Sequence, residues 1–155
     1  MIEVAKQAAY AAGKILTEHF KKLPKEAIRQ KQANDYLSFV DETSEKAIIS
    51  IIQDNYPDHS ILAEEGGESK KSGDFRWIID PLDGTTNYIT GLPVFAVSIA
   101  LQKDDEIILG VVYDPLQDEL FWAEKGRGAY VNDSPIQVSD SDSLSECLIA
   151  TGFLI

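Results

Sequence analysis

The sequence predicts an α+β fold in which two N-terminal helices pack on a mainly antiparallel β-sheet. Two segments near the N-terminus, residues 3–21 and about 43–56, carry apolar residues at helical spacing. From residue 61 onward the apolar residues occur instead in short runs separated by turn residues, which is typical of strands. Helices followed by strands in this order favour an α+β arrangement.

Each predicted helix has an apolar stripe and an end marked by proline. Leu23-Pro24 ends the first helix, and Pro57 ends the second. The stripe of the first helix is formed by Val4, Ala8, Ala12, Ile15, Leu16 and Phe20, and that of the second by Ala47, Ile48, Ile51, Ile52 and Tyr56. Both helices are therefore expected to pack on the sheet and not to carry the function.

Short apolar runs beyond residue 60 predict the strands. They span residues 61–63, 75–79, 94–101, 107–113, 119–123 and 128–131. Residues 66–73 are polar and predict a loop. The strand at 75–79 should end at Asp80, since Pro81 has no N–H with which to continue the ladder. The charged run at residues 103–106 predicts a hairpin turn.

Composition restricts the class of protein and its partners. The 155 residues are 44% hydrophobic and 26% charged, which suits one soluble globular domain. A net charge of −12 at pH 7 argues against a nucleic acid or an anionic membrane as partner, but not against a phosphate held through metal ions. The N-terminus lacks a signal-peptide pattern and Cys147 is the single cysteine, so a cytoplasmic location is expected.

The most informative segment is residues 77–87, Trp-Ile-Ile-Asp-Pro-Leu-Asp-Gly-Thr-Thr-Asn. It places Asp80 and Asp83 at the end of an apolar strand, and Gly84 and Thr85 where a helix could begin. Carboxylates suit Mg²⁺, and free N–H groups at a helix start suit a phosphate. Two cations about 3.5–4 Å apart need a bridging carboxylate. Asp80 is the natural bridge, with Glu64 and Asp83 as outer ligands.

A simpler interpretation of the same residues is structural. Asp83-Gly84 alone could be only a turn, Asp80 a residue at a strand end, and Glu64-Glu65 a solvated pair. Turn chemistry accounts for the Asp-Gly pair but not for the pair of glutamates or for the Thr-Thr-Asn that follows. The whole constellation therefore favours the metal and phosphate site.

These motifs resemble the inositol monophosphatase family, whose members are Mg²⁺-dependent, lithium-sensitive phosphatases. The resemblance rests on Leu-Ala-Glu-Glu-Gly-Gly at 62–67 and on Trp-Ile-Ile-Asp-Pro-Leu-Asp-Gly-Thr-Thr-Asn-Tyr at 77–88. It extends to residues 35–41, 92–99, 110–115 and 125–130, so it covers nearly the whole chain. The Asp-Pro-Leu-Asp-Gly-Thr block is its most specific part.

The resemblance implies that two or three Mg²⁺ ions bind, and that residues of the motif are their ligands. Glu64 and Asp80, with the backbone carbonyl of Leu82, would hold the first metal. Asp80 and Asp83 would hold the second, and Glu65 would contribute through water as part of the catalytic group.

The resemblance also implies the groups that handle phosphate and water. Gly84 and Thr85 would present N–H groups to the phosphate, while Asp41 and the Thr85 hydroxyl would orient the attacking water. Asp41 can equally be a residue favoured by the dipole at a helix N-terminus, and the two roles can coexist.

The chain departs from the family pattern at its C-terminal end. The family carries a later Trp-Asp signature that completes the second metal site, and neither Trp77 nor Trp122 is followed by aspartate. Residues 148–155 look like the start of another strand. We therefore expect residues 1–147 to form an N-terminal α+β domain that binds metal and phosphate, and residues 148–155 to begin a truncated second α/β domain. The fold would be the first part of an α/β/α/β/α layered sandwich whose second domain is missing.

These expectations define a leading function and its alternatives. The leading hypothesis is a Mg²⁺-dependent phosphatase of inositol monophosphate or a similar sugar phosphate, weakly active or inactive as this chain alone. Related activities sharing the metal motif are fructose-1,6-bisphosphatase, histidinol-phosphatase and 3′-phosphoadenosine nucleotidase. A different class remains open, a non-catalytic metal- or phosphate-binding module. The expected partner is a small phosphorylated substrate, with a homodimer in the full-length protein.

Overall fold

The computed structural model describes residues 1–24, 28–32 and 35–150. Three α-helices lie in this part of the chain: α1 (Ile2–His19), α2 (Phe39–Asn55) and α3 (Thr85–Thr90). Its strands are β1 (Ile28–Gln32), β2 (Asp35–Ser38), β3 (Ser60–Ala63), β4 (Gly67–Ser69), β5 (Phe75–Asp83), β6 (Ala96–Lys103), β7 (Glu106–Asp114), β8 (Glu119–Glu124), β9 (Ala129–Val131) and β10 (Ser134–Ile136).

The sheet is mixed but mostly antiparallel, as predicted. Its eight strands lie in the order β10-β9-β8-β7-β6-β5-β3-β4, and β3 and β5 are the parallel neighbours among the pairs in this sheet. β1 and β2 form a separate antiparallel hairpin between the two long helices, which the sequence did not predict. The predicted hairpin at 103–106 is confirmed, because Lys103 pairs with Glu106.

Helix α1 packs closely because its buried face is built from small residues. Five of its residues are fully buried there: Ala5, Ala8, Ala9, Ala12 and Leu16. At Gly13 a Cβ atom would lie 2.4 Å from Cε1 of Tyr113 on β7. A larger residue would collide with that ring, so Gly13 sets the distance between α1 and the sheet.

Helix α2 begins earlier than its apolar stripe predicts. It starts at Phe39 and not near Thr43, so Asp41 and Glu42 lie in its first turn, where the helix dipole favours negative charge. Ile48 and Ile52 are fully buried against the core. The helix ends at Asn55, two residues before Pro57.

The strand predictions fail mainly at the edges of the sheet. β4 occupies residues predicted as a loop; its three residues are all exposed, so it has no apolar pattern to reveal it. β10 was not predicted for the same reason. The predicted end of β5 at Asp80 is also wrong, since the strand continues to Asp83. Pro81 fits there because the ladder is irregular between Asp80 and Asp83, where no pairing N–H is required.

The face of the sheet opposite the helices carries apolar side chains at its surface. Val112 and Phe121 are both more than a third exposed there, beside a shallow groove of about 310 Å³. Beyond β10, residues 148–150 have no regular structure and Leu148 is fully exposed. The predicted strand at 148–155 otherwise lies outside the described residues. Among the described helices, none is both long and apolar enough to cross a bilayer.

Candidate active site

Glu64 and Asp80 meet because β3 and β5 are parallel neighbours. Ala63 at the end of β3 pairs with Ile79 in β5, so the residues that follow them along the chain, Glu64 and Asp80, lie side by side. The Glu64 N–H also donates to the Ile79 carbonyl at 3.2 Å. The parallel pairing therefore places the two carboxyl groups next to each other where β3 ends.

The Glu64 side chain forms a hydrogen bond with that of Asp80. Burial raises the pKa of Asp80, the bond from Glu64 opposes that shift, and the charges of Asp83 and Asp41 raise the pKa further. Three acidic residues, Glu64, Asp83 and Asp41, therefore influence the pKa of Asp80. Such a group of negative charges favours a bound cation.

A turn stabilised by Asp80 connects it to Asp83. The Asp80 carboxylate accepts a hydrogen bond from the Leu82 N–H at 3.1 Å, as Asp side chains do in Asx turns. Leu82 is buried, whereas Asp83 is exposed. The turn therefore offers one half-buried carboxylate, one exposed carboxylate and, between them, the Leu82 carbonyl oxygen.

Gly84 begins α3 in a conformation that other residues rarely adopt. Its φ is 93° and its ψ 36°, and a Cβ atom there would lie 3.0 Å from the Val94 carbonyl oxygen. The first intrahelical bond of α3 runs from the Tyr88 N–H to the Gly84 carbonyl, so the N–H groups before it have no partner within the helix. Gly84 and Thr85 thus stand where N–H groups are available for an anion, and the predicted helix start is confirmed.

Asp41 and Thr85 connect helix α2 to this turn. Asp41 is only 2% exposed, and the Thr85 hydroxyl lies 3.3 Å from its Oδ1. The same hydroxyl lies 3.0 Å from the Leu82 carbonyl oxygen. A hydroxyl has one proton to donate, so the two acceptors compete for it. Asp41 therefore occupies the first turn of α2 and also contacts the candidate site, and both interpretations of this residue fit its position.

The sequence did not identify Glu45 as part of this region. Its carboxylate accepts the Glu65 N–H at 2.8 Å and also a backbone hydrogen bond from Gly66. Glu45 is 4% exposed, and burial raises its pKa while the two backbone hydrogen bonds oppose the rise. One signal could have identified it: Glu45 lies three residues before Ile48, on the face of α2 that the apolar stripe buries.

The remaining polar candidates have structural contacts. The Trp77 Nε1–H donates to Nδ1 of His59 at 3.1 Å, and the His59 ring stacks between Tyr56 and Phe75. Cys147 is exposed.

The donor set fits a hard divalent cation, although its side chains do not form a closed cage. The candidate ligands Glu64, Asp80, Leu82 and Asp83 offer oxygen atoms alone, which is the chemistry that Mg²⁺ prefers. Among the residues that the structure describes, no three His, Cys, Asp or Glu side chains converge closely enough to hold an ion.

Several known proteins are similar to this chain. A protein of Aquifex aeolicus named fructose-1,6-bisphosphatase/inositol-1-monophosphatase is 49% identical over 98% of this chain and 58% of its own length. The Nus factor SuhB of Escherichia coli is 41% identical over 99% of this chain and 58% of its own length. The chain thus spans a little over half the length of these relatives.

Solved structures share the fold. The IMPase of Thermotoga maritima superimposes with a TM-score of 0.87 at 36% identity, covering 94% of this chain and 56% of that one. The extragenic suppressor protein suhB of Bartonella henselae also gives 0.87, at 40% identity, covering 90% of this chain and 55% of that one. A family model described as the inositol monophosphatase family matches residues 1–155. The match covers every residue of the sequence, and the chain belongs to the inositol monophosphatase family.

Proposed function

We propose that this chain carries the metal- and phosphate-binding part of a Mg²⁺-dependent phosphatase that hydrolyses inositol monophosphate or a similar sugar phosphate. The observation that carries the proposal is the hydrogen bond between the side chains of Glu64 and Asp80, which follow the last paired residues of the parallel neighbours β3 and β5. It places the carboxylates beside the Gly84–Thr85 helix start and the Asp41–Thr85 contact. These groups support hydrolysis of a phosphate monoester as the proposed activity.

The ligand assignment is the one that the resemblance to the family implies, and the oxygen atoms at this edge of the sheet support it. Glu64, Asp80 and the Leu82 carbonyl would hold one Mg²⁺, and Asp80 with Asp83 a second, with Glu65 contributing through water. When bound, the ions supply charge neutralisation for the phosphoryl oxygens and acidify water. Half-burial of Asp80 strengthens its interaction with a cation, because the local dielectric is below that of water.

The other groups would position the substrate and the water. The N–H groups of Gly84 and Thr85 would bind phosphoryl oxygens at the start of α3. The Thr85 hydroxyl and the buried Asp41 carboxylate, 3.3 Å apart, would orient the attacking water in line with the leaving oxygen. Asp41 can accept the proton of that water while Thr85 fixes its orientation, so no covalent phosphoenzyme is needed.

Phosphate release tests the proposal directly. We expect release from inositol 1-phosphate that requires Mg²⁺, and an Asp83→Asn variant that lowers it at least about tenfold. Asp105→Asn is the matched control, because Asp105 is an exposed residue of the β6–β7 turn and should leave the rate unchanged. Fructose 1,6-bisphosphate, histidinol phosphate and 3′-phosphoadenosine 5′-phosphate serve as competing substrates.

The outcomes separate the possibilities. Preference for one of the competing phosphates would keep the metal site and change the substrate. Release that is equal with and without Mg²⁺, or equal in the Asp83→Asn variant, would contradict the proposed mechanism. Because the chain covers 58% of the length of its relatives, we expect weak activity from these residues alone. Robust turnover by the chain itself would overturn that expectation.

A second candidate function is a non-catalytic module that binds metal or phosphate and regulates a partner. The observation that favours it is that relatives 41–43% identical to this chain are named Nus factor, which is not the name of an enzyme. Retention of Glu64, Asp80, Asp83 and Thr85 favours the enzyme instead. Mg²⁺ binding without phosphate release from any of the four substrates would support the module.

The cellular location, partners and assembly of the proposed enzyme are proposed from the same features of the sequence. We propose a cytoplasmic protein that takes a small phosphorylated substrate, with a homodimer as the assembly of the full-length form. The net charge of −12 supports the absence of a nucleic-acid or membrane partner. Light scattering of the full-length protein tests the homodimer, and a monomeric mass would contradict it.

A further inference from the structure

The loop that carries Glu64 is a short hairpin connection at the edge of the sheet. Ala63 at the end of β3 pairs with Gly67 at the start of β4, so Glu64, Glu65 and Gly66 form a three-residue loop. All three residues of β4 are exposed. An edge hairpin of this kind gains little stability from packing, so the position of its loop depends on other contacts.

Glu45 supplies such a contact from helix α2. Its Oε2 accepts the Glu65 N–H at 2.8 Å, and its carboxylate also accepts a hydrogen bond from the Gly66 backbone. Hydrogen bonds from backbone N–H groups to a carboxylate are among the stronger ones in proteins. Both act on the residues directly after Glu64.

Gly66 shows how closely the loop approaches this carboxylate. A Cβ atom on Gly66 would lie 2.9 Å from Oε1 of Glu45. A real Cβ would therefore have to displace the carboxylate or the loop. The lack of a side chain at Gly66 leaves room for the Glu45 carboxylate, so the position of the carboxylate depends on the glycine.

We propose that Glu45 is a positioning residue for the metal ligand Glu64, acting through the Glu64–Gly66 loop. The inference rests on the proposed function, since it concerns the proposed metal site. Glu45 is 4% exposed and sits between Asp41 in the first turn of α2 and the buried Ile48. The rigid helix thus fixes Asp41 and the Glu64 loop relative to each other. Groups that orient metal ligands without touching the metal commonly change affinity about 10- to 100-fold when removed.

The first test compares Mg²⁺ binding of three variants of the chain. The unfolding temperature is measured across a series of Mg²⁺ concentrations, which gives the dissociation constant by linkage. We expect Glu45→Ala to weaken Mg²⁺ binding about 10- to 100-fold. Glu45→Gln, which keeps one acceptor oxygen, should fall between Glu45→Ala and the unmodified chain. Glu42→Ala is the matched control, since it removes one carboxylate from the same helix at an exposed ion pair with Lys46.

A second test uses the steric contact and leaves the charge of the site unchanged. Gly66→Ala should weaken Mg²⁺ binding by displacing the Glu45 carboxylate. In the Glu45→Ala background the same Gly66→Ala change should have little further effect, because the carboxylate that it meets is gone. Additive losses would show that the two residues act separately and would overturn the proposal.

A third measurement does not depend on metal. Amide hydrogen exchange in EDTA should show that the Glu65 N–H loses protection in Glu45→Ala while the core amides of β5 keep theirs. Loss of protection throughout the chain would indicate general unfolding and would count against a positioning role. Retained protection at Glu65 would overturn the proposal as well.

The outcomes distinguish this inference from the proposed function. If the unmodified chain shows no Mg²⁺-dependent shift of its unfolding temperature, the metal site is wrong and the positioning role is lost with it. If the unmodified chain binds Mg²⁺ and Glu45→Ala binds it within about twofold, a difference under 0.5 kcal/mol, the positioning role alone is wrong. Weak binding in Glu45→Ala with unchanged binding in Glu42→Ala supports both.

Discussion

Replacing Gly84 with alanine tests the geometry at the start of α3. Gly84 has a φ of 93°, in the left-handed region that side chains disfavour. The new Cβ would also lie 3.0 Å from the Val94 carbonyl oxygen and 3.4 Å from Cα of Phe95. The Val94 carbonyl accepts a hydrogen bond from the Asn87 side chain at 2.8 Å, so moving it away would strain a second contact. An alanine at this position would therefore have both an unfavourable backbone conformation and a steric clash with the backbone of residues 94 and 95.

The two features have separate magnitudes. A Cβ in the left-handed region costs about 1–2 kcal/mol. Inserting a carbon atom against packed backbone costs about 1–3 kcal/mol more. We therefore expect Gly84→Ala to lower the free energy of unfolding by about 2–5 kcal/mol, and each kcal/mol to lower the unfolding temperature of a chain of this size by about 2–4 °C.

Gly126→Ala is the control that separates the two effects. Gly126 also has a positive φ, 75°, but no atom lies within 4 Å of its added Cβ. It should therefore show the backbone cost alone, about 1–2 kcal/mol. Urea unfolding followed by circular dichroism measures both variants. If Gly84→Ala destabilises the chain no more than Gly126→Ala does, the close approach to Val94 has no energetic importance and our reasoning is refuted.

Three further predictions concern residues outside the site. Gly13→Ala should destabilise the chain by up to about 2 kcal/mol in urea unfolding, because the clash with Tyr113, about 1–3 kcal/mol, outweighs a gain of about 1 kcal/mol in helix propensity; a more stable variant would contradict the packing. Ser44 is fully buried and its hydroxyl has no hydrogen-bond partner among the described residues, so Ser44→Ala should raise the free energy of unfolding, measured in urea, by up to about 1 kcal/mol. Burial lowers the pKa of His59, whose Nδ1 accepts from Trp77, so the unfolded chain binds more protons between the folded pKa and about 6.5. Stability should therefore fall as pH drops below about 6.5, and His59→Phe should reduce that dependence in urea midpoints measured from pH 5 to 8.

Local signals in the sequence predicted the elements that depend on neighbouring residues. The two long helices follow from apolar spacing, and α3 begins at Thr85 because Gly84 precedes it in the left-handed conformation that glycine tolerates. The turn at 103–106 follows from a short charged run between two apolar ones. In each case the chain within a few residues contains the physical cause, so the pattern is visible without a tertiary structure.

Features that depend on pairing between distant residues were not predictable in this way. β4 and β10 have exposed residues and no alternation, so only their pairing partners make them strands. The continuation of β5 past Pro81 depends on an irregular ladder with β6, which a proline rule applied to one strand does not anticipate. Glu45 lies 20 residues from the Glu65 N–H that it accepts, and nothing between them indicates the contact.

The sequence by itself determined the chemistry of this protein, because residue identity decides which atoms can bind a cation or a phosphate. The Asp-Pro-Leu-Asp-Gly-Thr block and the preceding Glu-Glu pair supply those oxygen and N–H groups, and they identify the family. The tertiary structure decided which of those groups meet. Parallel pairing of β3 with β5 brings Glu64 next to Asp80. The packing of α2 brings Asp41 to Thr85 and Glu45 to the Glu64–Gly66 loop, because both side chains lie on the buried face of the helix.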